Sequence, residues 1–293
     1  MDVLIVGCGY VGQRVAREEI TRGNRVRALV RSANSANRLS NAGIDSTAID
    51  LDSQPLELPF SLARKLIYYF APPPRSGDTD SRLKNFLNSI PANDLPARVV
   101  YISTTGIYGD CGADWVTEQR KPNPQADRAR RRLDAEMVLH DWSIKTGVPV
   151  VVLRVPGIYG PDKIPLARIR KGTPALKESE SAWSNRVHVD DLVQSCLAAM
   201  DHPNPLDTYN ICDGHPSTMT DYFNRVADAA GLPRPPQISL AQAKREFSNE
   251  LLSYLSESKR IDNTRMREHL GVSPKYPTLD SGLAAALSDS ENR

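Results

Sequence analysis

An α/β fold is the architecture this sequence predicts: a doubly wound parallel sheet with a smaller, mostly α-helical C-terminal lobe. Three observations predict it. The first thirty residues hold a β-branched run, a glycine-rich turn, a helical stretch and a second apolar run. Further apolar runs alternate with helical stretches as far as Arg154. Beyond Arg154 the alternation gives way to turns rich in Gly and Pro and then to polar helices.

Val3-Leu4-Ile5-Val6 is a continuous apolar run, the pattern of a strand buried on both faces of a parallel sheet. Gly7-Cys8-Gly9-Tyr10-Val11-Gly12 follows at once. A helix is predicted next, with Val11, Val15 and Ile20 at helical spacing, and Gly23-Asn24 stops it. Residues 25–30 form the second strand. A GxGxxG in this strand–turn–helix setting is the dinucleotide-binding fingerprint of a Rossmann fold. Gly7 permits the tight turn, Gly9 lets the backbone approach a pyrophosphate, and Gly12 lets helix and strand pack closely. The helix N-terminus adds unpaired N–H groups and the positive end of its dipole.

The end of the second strand selects the cofactor. An NAD site carries Asp or Glu about 20 residues past the glycine turn, bonded to the ribose 2′-hydroxyl. This chain reads Val30-Arg31-Ser32 there, with Arg38 nearby and no acid. A guanidinium in place of a carboxylate predicts NADP in preference to NAD, with Arg31 and Ser32 as contacts. The opposing reading makes Arg31 a solvated strand-end charge.

Strands are predicted at 46–50, 66–70, 99–103 and 149–154, and a late one at 208–212. Helices are predicted at 33–41, 80–89, 126–145, 189–200, 220–230, 240–254 and 264–269, and residues 283–292 are expected to fray. The expected division is a nucleotide-binding domain of residues 1–155 plus 186–213, and a substrate lobe of 156–185 plus 214–293. A chain of 293 residues accommodates this, at about 100–200 residues per domain.

Composition narrows the function. Net charge is +2, from 37 basic and 35 acidic residues, which speaks against a dedicated nucleic-acid binder. Cys8, Cys111, Cys196 and Cys212 form no CxxC pair. Neither a disulfide framework nor a metal site is expected, and a reducing cytoplasm fits. No signal-peptide pattern opens the chain. The densest apolar run, residues 148–155, is broken by Pro149 and Arg154, so no membrane segment is expected. The expected partner is a small-molecule substrate, with homodimer formation left open.

With these elements placed, the chain resembles the extended and atypical short-chain dehydrogenase/reductases, the NAD(P)-dependent epimerase/dehydratase family. Beyond the glycine turn, the resemblance rests on Ser103-Thr104-Thr105-Gly106-Ile107-Tyr108-Gly109 and on Leu153-Arg154-Val155-Pro156-Gly157-Ile158-Tyr159-Gly160-Pro161. It also rests on Asn185-Arg186-Val187-His188-Val189-Asp190-Asp191 and on Ser258-Lys259-Arg260-Ile261-Asp262-Asn263 with Leu270-Gly271. The resemblance implies cofactor contacts at Asp50 and Leu51, where the family meets the adenine. It implies others at Ala71 and Pro72, where Pro72-Pro73-Pro74 stands in place of a small-residue turn.

The family's chemistry uses a Ser or Thr with a Tyr and a Lys spaced YxxxK. Thr104 occupies the Ser/Thr position. Glu136 fits the helix pattern and supports Arg132 at i,i+4, but Arg132 stands where Lys is expected and Arg128 where Tyr is expected. Arginine stays protonated and cannot shuttle a proton, although Arg132 could hold the ribose. Substitutes weighed for the missing acid/base are Tyr108, Tyr159, His188, Asp110 and Asp114, each against a structural role. Substrate contacts are expected from Thr105, Tyr159, Arg186 and His188, with Arg154 beside Arg186 lining the cleft. The basic run Arg120, Lys121, Arg128, Arg130, Arg131 and Arg132 is either a solvated face or an anion site. Two functions stay open: an NAD(P)-dependent oxidoreductase or epimerase on a polar, anionic or sugar-type metabolite, and a non-catalytic NADP-sensing protein of the same fold.

Overall fold

The computed structural model describes residues 1–203, 206–248, 251–252, 255 and 257–291. In chain order the first half contains β1 (Asp2–Val6), α1 (Tyr10–Thr21), β2 (Arg25–Val30), α2 (Ala33–Asn41), β3 (Asp45–Ala48) and β4 (Leu66–Tyr69). Then come α3 (Ser81–Asn88), β5 (Arg98–Thr104), β6 (Trp115–Val116), α4 (Asp127–Thr146) and β7 (Val150–Val155). The second half holds β8 (Gly157–Tyr159), α5 (Leu166–Arg170), β9 (Ala175–Leu176), β10 (Trp183–Ser184), β11 (Arg186–His188) and α6 (Val189–Asp201). It continues with β12 (Leu206–Asn210), β13 (Ser217–Thr218), α7 (Met219–Ala229), β14 (Gln237–Ile238), α8 (Leu240–Glu246) and β15 (Arg260–Ile261). It closes with α9 (Thr264–Glu268) and α10 (Leu279–Glu291).

Seven strands form one sheet in the order β12-β7-β5-β4-β1-β2-β3. Pairing is parallel from β3 through β2, β1 and β4 to β5. The order reverses at β1, so the crevice at the carboxyl ends of β1 and β4 is the ligand position of this architecture. The strands are apolar because helices cover both faces: Leu4, Ile5 and Val6 of β1 and all six residues of β7 are buried. Leu4, Val6, Tyr69, Phe86, Tyr101 and Leu139 meet in one core cluster. Each such side chain contributes about 1.5–3 kcal/mol on burial.

The chain forms two compact units. The first holds Met1–Ile107, Asp127–Arg154 and Val193–Tyr209; the second holds Tyr108–Ala126, Val155–Leu192 and Asn210–Arg293. The expected boundaries therefore shift. Residues 108–126, 155, 186–192 and 210–213 go with the second unit, because its short strands pair with one another. β6 pairs with β15 and β8 with β11. In α1 the buried face is Gly12, Val15, Ala16 and Glu19, and Ile20 lies exposed just beyond it. Helix α8 ends at Glu246, where Phe247 turns extended, and residues 251 and 252 of the expected 240–254 helix are helical again beyond that break. Residues 249, 250, 253 and 254 of that expected helix lie outside the described residues. Of the segment expected to fray, residues 283–291 are helical instead: Leu279, Leu283 and Ala286 of α10 are buried, the first two in a core cluster with Met219 and Tyr222 of α7. All four cysteines are free and buried. Among the described residues no helix is long and apolar enough to cross a membrane.

Candidate cofactor cleft and substrate pocket

The cleft of the first unit begins where β1 ends. Gly7 turns the chain at φ +91°, and a Cβ there would lie 2.4 Å from the Ala71 nitrogen. At Gly12 a Cβ would meet the Gly7 carbonyl at 2.9 Å and the Ile5 side chain at 3.2 Å, so α1 packs hard on β1. Gly9 is different: nothing lies within 4 Å of its Cβ position. It caps α1 without a side-chain hydrogen bond, leaving the helix N-terminus to a ligand. This bare turn opens into a cleft of about 1060 Å³. A pyrophosphate therefore fits where the glycine pattern expects it.

Cys8, Gly7 and Gly9 line the cleft, as do Asp50, Leu51, Ala71 and Pro72. Burial pushes the Cys8 thiol up to about 12, so it lines the cleft as a neutral group. Tyr10 and Val11 are not among the lining residues; the Tyr10 ring lies under the Arg14 guanidinium, 4.0 Å from it. At the far end Arg31 and Arg38 reach the cleft with Ser35 between them. Ser32 caps α2 instead, its Oγ accepting from the Ser35 N–H at 3.3 Å. Arg38 donates to Ser35 Oγ at 3.3 Å, which groups the two. Arg31 is 67% exposed and only loosely paired, at 3.5 Å from Asp50 and 3.6 Å from Asp52. Sequence reasoning missed Gln13, Ser35, Asp52 and Arg82, which also line this cleft. Ser35 was legible as the residue one turn past the Ser32 cap.

On β5, Thr104 accepts a hydrogen bond from the Gly106 N–H at 3.1 Å, which leaves its own proton for a ligand. Thr105 is buried. Arg132 donates to the Tyr101 hydroxyl at 3.1 Å and the Ile102 carbonyl at 3.0 Å. The expected Arg132–Glu136 pair does not form. Glu136 instead pairs with Arg154 at 2.8 Å and accepts from Ser103 Oγ, all three buried. Arg154, expected to line a cleft with Arg186, directs its guanidinium to this buried carboxylate, which requires a charged partner. The basic run disperses. Arg130 pairs with Asp127 and Arg131 donates to the Gly77 carbonyl, while in the second unit Arg120 pairs with Asp114.

The second unit places the remaining candidates. Tyr108 is 1% exposed and its hydroxyl donates to Asn210 Oδ1 at 2.8 Å. Asp110 accepts from the N–H groups of Gly112 and Ser258. Tyr159 is 1% exposed, and its hydroxyl meets no hydrogen-bond partner among the described residues. Its ring is edge-on to His188, whose centroid lies 4.1 Å from that of Tyr276 with the two rings tilted. The two tyrosines and His188 thus stand in packed interior positions. Arg186 lines a separate pocket of about 260 Å³ with Lys163, Arg168, Tyr222 and Phe223. Its guanidinium lies 4.2 Å over the Tyr222 ring, and that of Arg168 lies 4.9 Å over Phe223. Desolvation lowers the affinity of Arg168 for its proton. Two guanidiniums thus lie over aromatic rings beside a lysine in this pocket. Lys163 and Arg168 were missed in sequence, although they stand in a basic stretch with Arg170 and Lys171.

Residues 81–212 match the model of the NAD dependent epimerase/dehydratase family. The chain is 27% identical to Protein YeeZ of Escherichia coli K12, over 94% of this chain and 96% of that protein. It is 26% identical to GDP-6-deoxy-D-mannose reductase of Pseudomonas aeruginosa, over 71% of each. A functionally unknown conserved protein from Silicibacter pomeroyi superposes with a TM-score of 0.84 at 30% identity, covering 99% of both chains. UDP-glucose 4-epimerase of Thermotoga maritima shares the fold, with a TM-score of 0.82 at 20% identity over 100% of this chain and 99% of that one.

Proposed function

This chain belongs to the NAD-dependent epimerase/dehydratase family, and we propose that it is an NADP-dependent oxidoreductase of that family acting on an anionic, sugar-type small molecule. It is an NAD(P)-binding, epimerase-like protein; the choice of NADP and of an anionic substrate is our reading. The observation that carries it is the cleft, where Gly9 leaves room for a pyrophosphate and Arg31, Ser35 and Arg38 gather on the same surface. A 2′-phosphate would take charge-assisted hydrogen bonds from those side chains. The N–H groups of α1 would hold the pyrophosphate. When bound, the nicotinamide gives or takes a hydride.

The chain's own residues do the rest. Thr104 offers its hydroxyl proton to a substrate oxygen, since its lone pair already serves Gly106. Arg132, fixed by Tyr101 and Ile102, supplies a permanent positive charge where the family has Lys. The pocket of Lys163, Arg168 and Arg186 supports a phosphorylated or nucleotide-linked sugar. The reductase and epimerase relatives act on such compounds, by their names.

One observation favours the second reading, a cofactor-binding sensor. Arg128 replaces the family's Tyr, and Tyr108 and Tyr159 are buried. The purified protein incubated with NADPH or NADP and a panel of nucleoside-diphosphate sugars decides between them, read by the absorbance of the reduced nicotinamide and by product analysis. Turnover of one such sugar supports the enzyme. Tight cofactor binding with no turnover or epimerisation of any member supports the sensor.

A further inference from the structure

Arg82 lies near the start of α3, and its side chain is only 13% exposed. It touches two separate pieces of the cleft. Its Nε and Nη2 donate to the two oxygens of Asp52, at 2.8 and 2.7 Å. Its Nη1 donates to the carbonyls of Pro72 and Pro73, at 3.1 and 3.3 Å. Asp52 stands in the turn after β3, and Pro72 and Pro73 belong to the wall after β4. All four residues line the cleft.

The proline wall needs such a holder. Proline has no N–H, so Pro72-Pro73-Pro74 can anchor itself to neighbours only through carbonyls. Arg82 supplies donors to two of them with the fork geometry that a lysine lacks. Asn85, one turn further along α3, donates to the Leu51 carbonyl at 2.9 Å and accepts from Gln54 at 2.9 Å. The start of α3 therefore pins the same turn twice.

Asp52 faces two arginines, and it does not treat them alike. The contact with Arg82 is bidentate at hydrogen-bond length, whereas Arg31 stays at 3.6 Å. The hydrogen bonds from Arg82 hold the Asp52 carboxyl below the ordinary carboxylate range, and Asp52 raises the proton affinity of Arg82 in turn. A carboxylate saturated in this way has less capacity to draw Arg31 onto itself.

We propose that Arg82 is a positioning residue of the cofactor cleft: it ties the turn after β3 to the proline wall and, by claiming Asp52, leaves Arg31 to the 2′-phosphate of NADP. The second half rests on the NADP reading above. Without Arg82, Asp52 takes Arg31 as its only strong partner, and the cleft loses both its fixed wall and its phosphate ligand.

The test titrates NADPH and NADH by fluorescence into wild type, Arg82→Gln, Asp52→Asn and the double variant, with a thermal melt of each. Arg82→Gln is expected to weaken both cofactors and to lower the NADPH-to-NADH affinity ratio about tenfold, the scale of one charge-assisted hydrogen bond. Adding Asp52→Asn removes the competing carboxylate, so the double variant regains the wild-type ratio while its overall affinity stays low. That restored ratio is what a merely structural role would not produce. An Arg82→Gln protein with wild-type affinities overturns the proposal, and so does an equal loss for both cofactors with the ratio unmoved. Should Arg82→Gln fail to fold, Arg82→Lys carries the same comparison, because one ammonium cannot hold Asp52 and both carbonyls. A wild-type protein that binds NADH as tightly as NADPH refutes the NADP reading itself, and with it the role assigned to Arg31.

Discussion

Gly7 and Gly9 are two residues apart, yet alanine at each should fail differently. At Gly7 a Cβ falls 2.4 Å from the Ala71 nitrogen, 2.6 Å from its Cα and 2.8 Å from the Phe70 carbonyl carbon, all backbone. The chain there is also at φ +91°. Left-handed strain costs an L-residue about 1–2 kcal/mol, and displacing packed backbone adds a similar amount. Gly7→Ala should therefore lose about 3 kcal/mol, roughly 6–12 °C in melting temperature for a unit of this size. It should also lose cofactor binding, because Phe70 and Ala71 are cleft wall. At Gly9 the Cβ meets nothing within 4 Å and φ is −90°. Gly9→Ala should melt with the wild type, within about 2 °C. Its methyl group would occupy the space left for the pyrophosphate. Losing one or two hydrogen bonds to a charged group, at about 1.5–3 kcal/mol each, lowers affinity at least tenfold. The assay is NADPH fluorescence titration beside thermal melting of each variant. A Gly9→Ala protein that binds NADPH as wild type does would refute the assignment of this turn as the pyrophosphate cradle.

Three further outcomes follow from the packing. Glu136→Ala strips the buried Arg154 of its carboxylate and should destabilise by about 3–5 kcal/mol in chemical denaturation, whereas Glu136→Met with Arg154→Met should recover most of the loss; equal stability of Glu136→Ala and wild type would contradict this. Gly282→Ala places a Cβ 2.0 Å from the Tyr159 hydroxyl and should cost about 1–3 kcal/mol by overpacking, while Tyr159→Phe, which removes a buried hydroxyl without a hydrogen-bond partner among the described residues, should cost nothing. Asp213 is buried and desolvation pushes its carboxyl from 3.8 up to about 7, with Oδ2 lacking a hydrogen-bond partner among the described residues. A folded pKa above the unfolded one means the folded state holds the proton more tightly, so this contribution is present below pH 4 and is lost as pH rises through 7. Asp213→Asn should accordingly melt progressively higher than wild type between pH 5 and pH 8, and parallel curves would disprove the shift.

The parts of this molecule legible in sequence are those set by local pattern. A glycine turn between an apolar run and a helix has one common meaning, and Arg31 at the end of β2 follows from counting along the chain. The residues missed are brought together by tertiary placement. Arg82 stands 30 positions from its partner Asp52, and nothing in either neighbourhood announces the other. Glu136 read as the i,i+4 partner of Arg132, but the core offered it Arg154 and Ser103, and burial decided the matter. Tyr108 and Tyr159 read in sequence as either reaction-site phenols or packing residues, and each lies 1% exposed. Spacing reports which side chains share a segment, and not which way a turn points them. Helix α10 escaped notice because its apolar face is made mostly of Ala and Leu at the end of the chain, where docking on α7 rather than propensity holds it.

Affinity for NADPH against NADH, on the wild-type protein and on Arg31→Ala, measures directly which nucleotide the cleft takes. The arrangement of Arg31, Ser35 and Arg38 predicts NADPH bound at least about tenfold more tightly, the worth of one charge-assisted contact, with that advantage falling in Arg31→Ala. Equal affinity for the two nucleotides, or an Arg31→Ala protein that keeps the NADPH advantage, would contradict it.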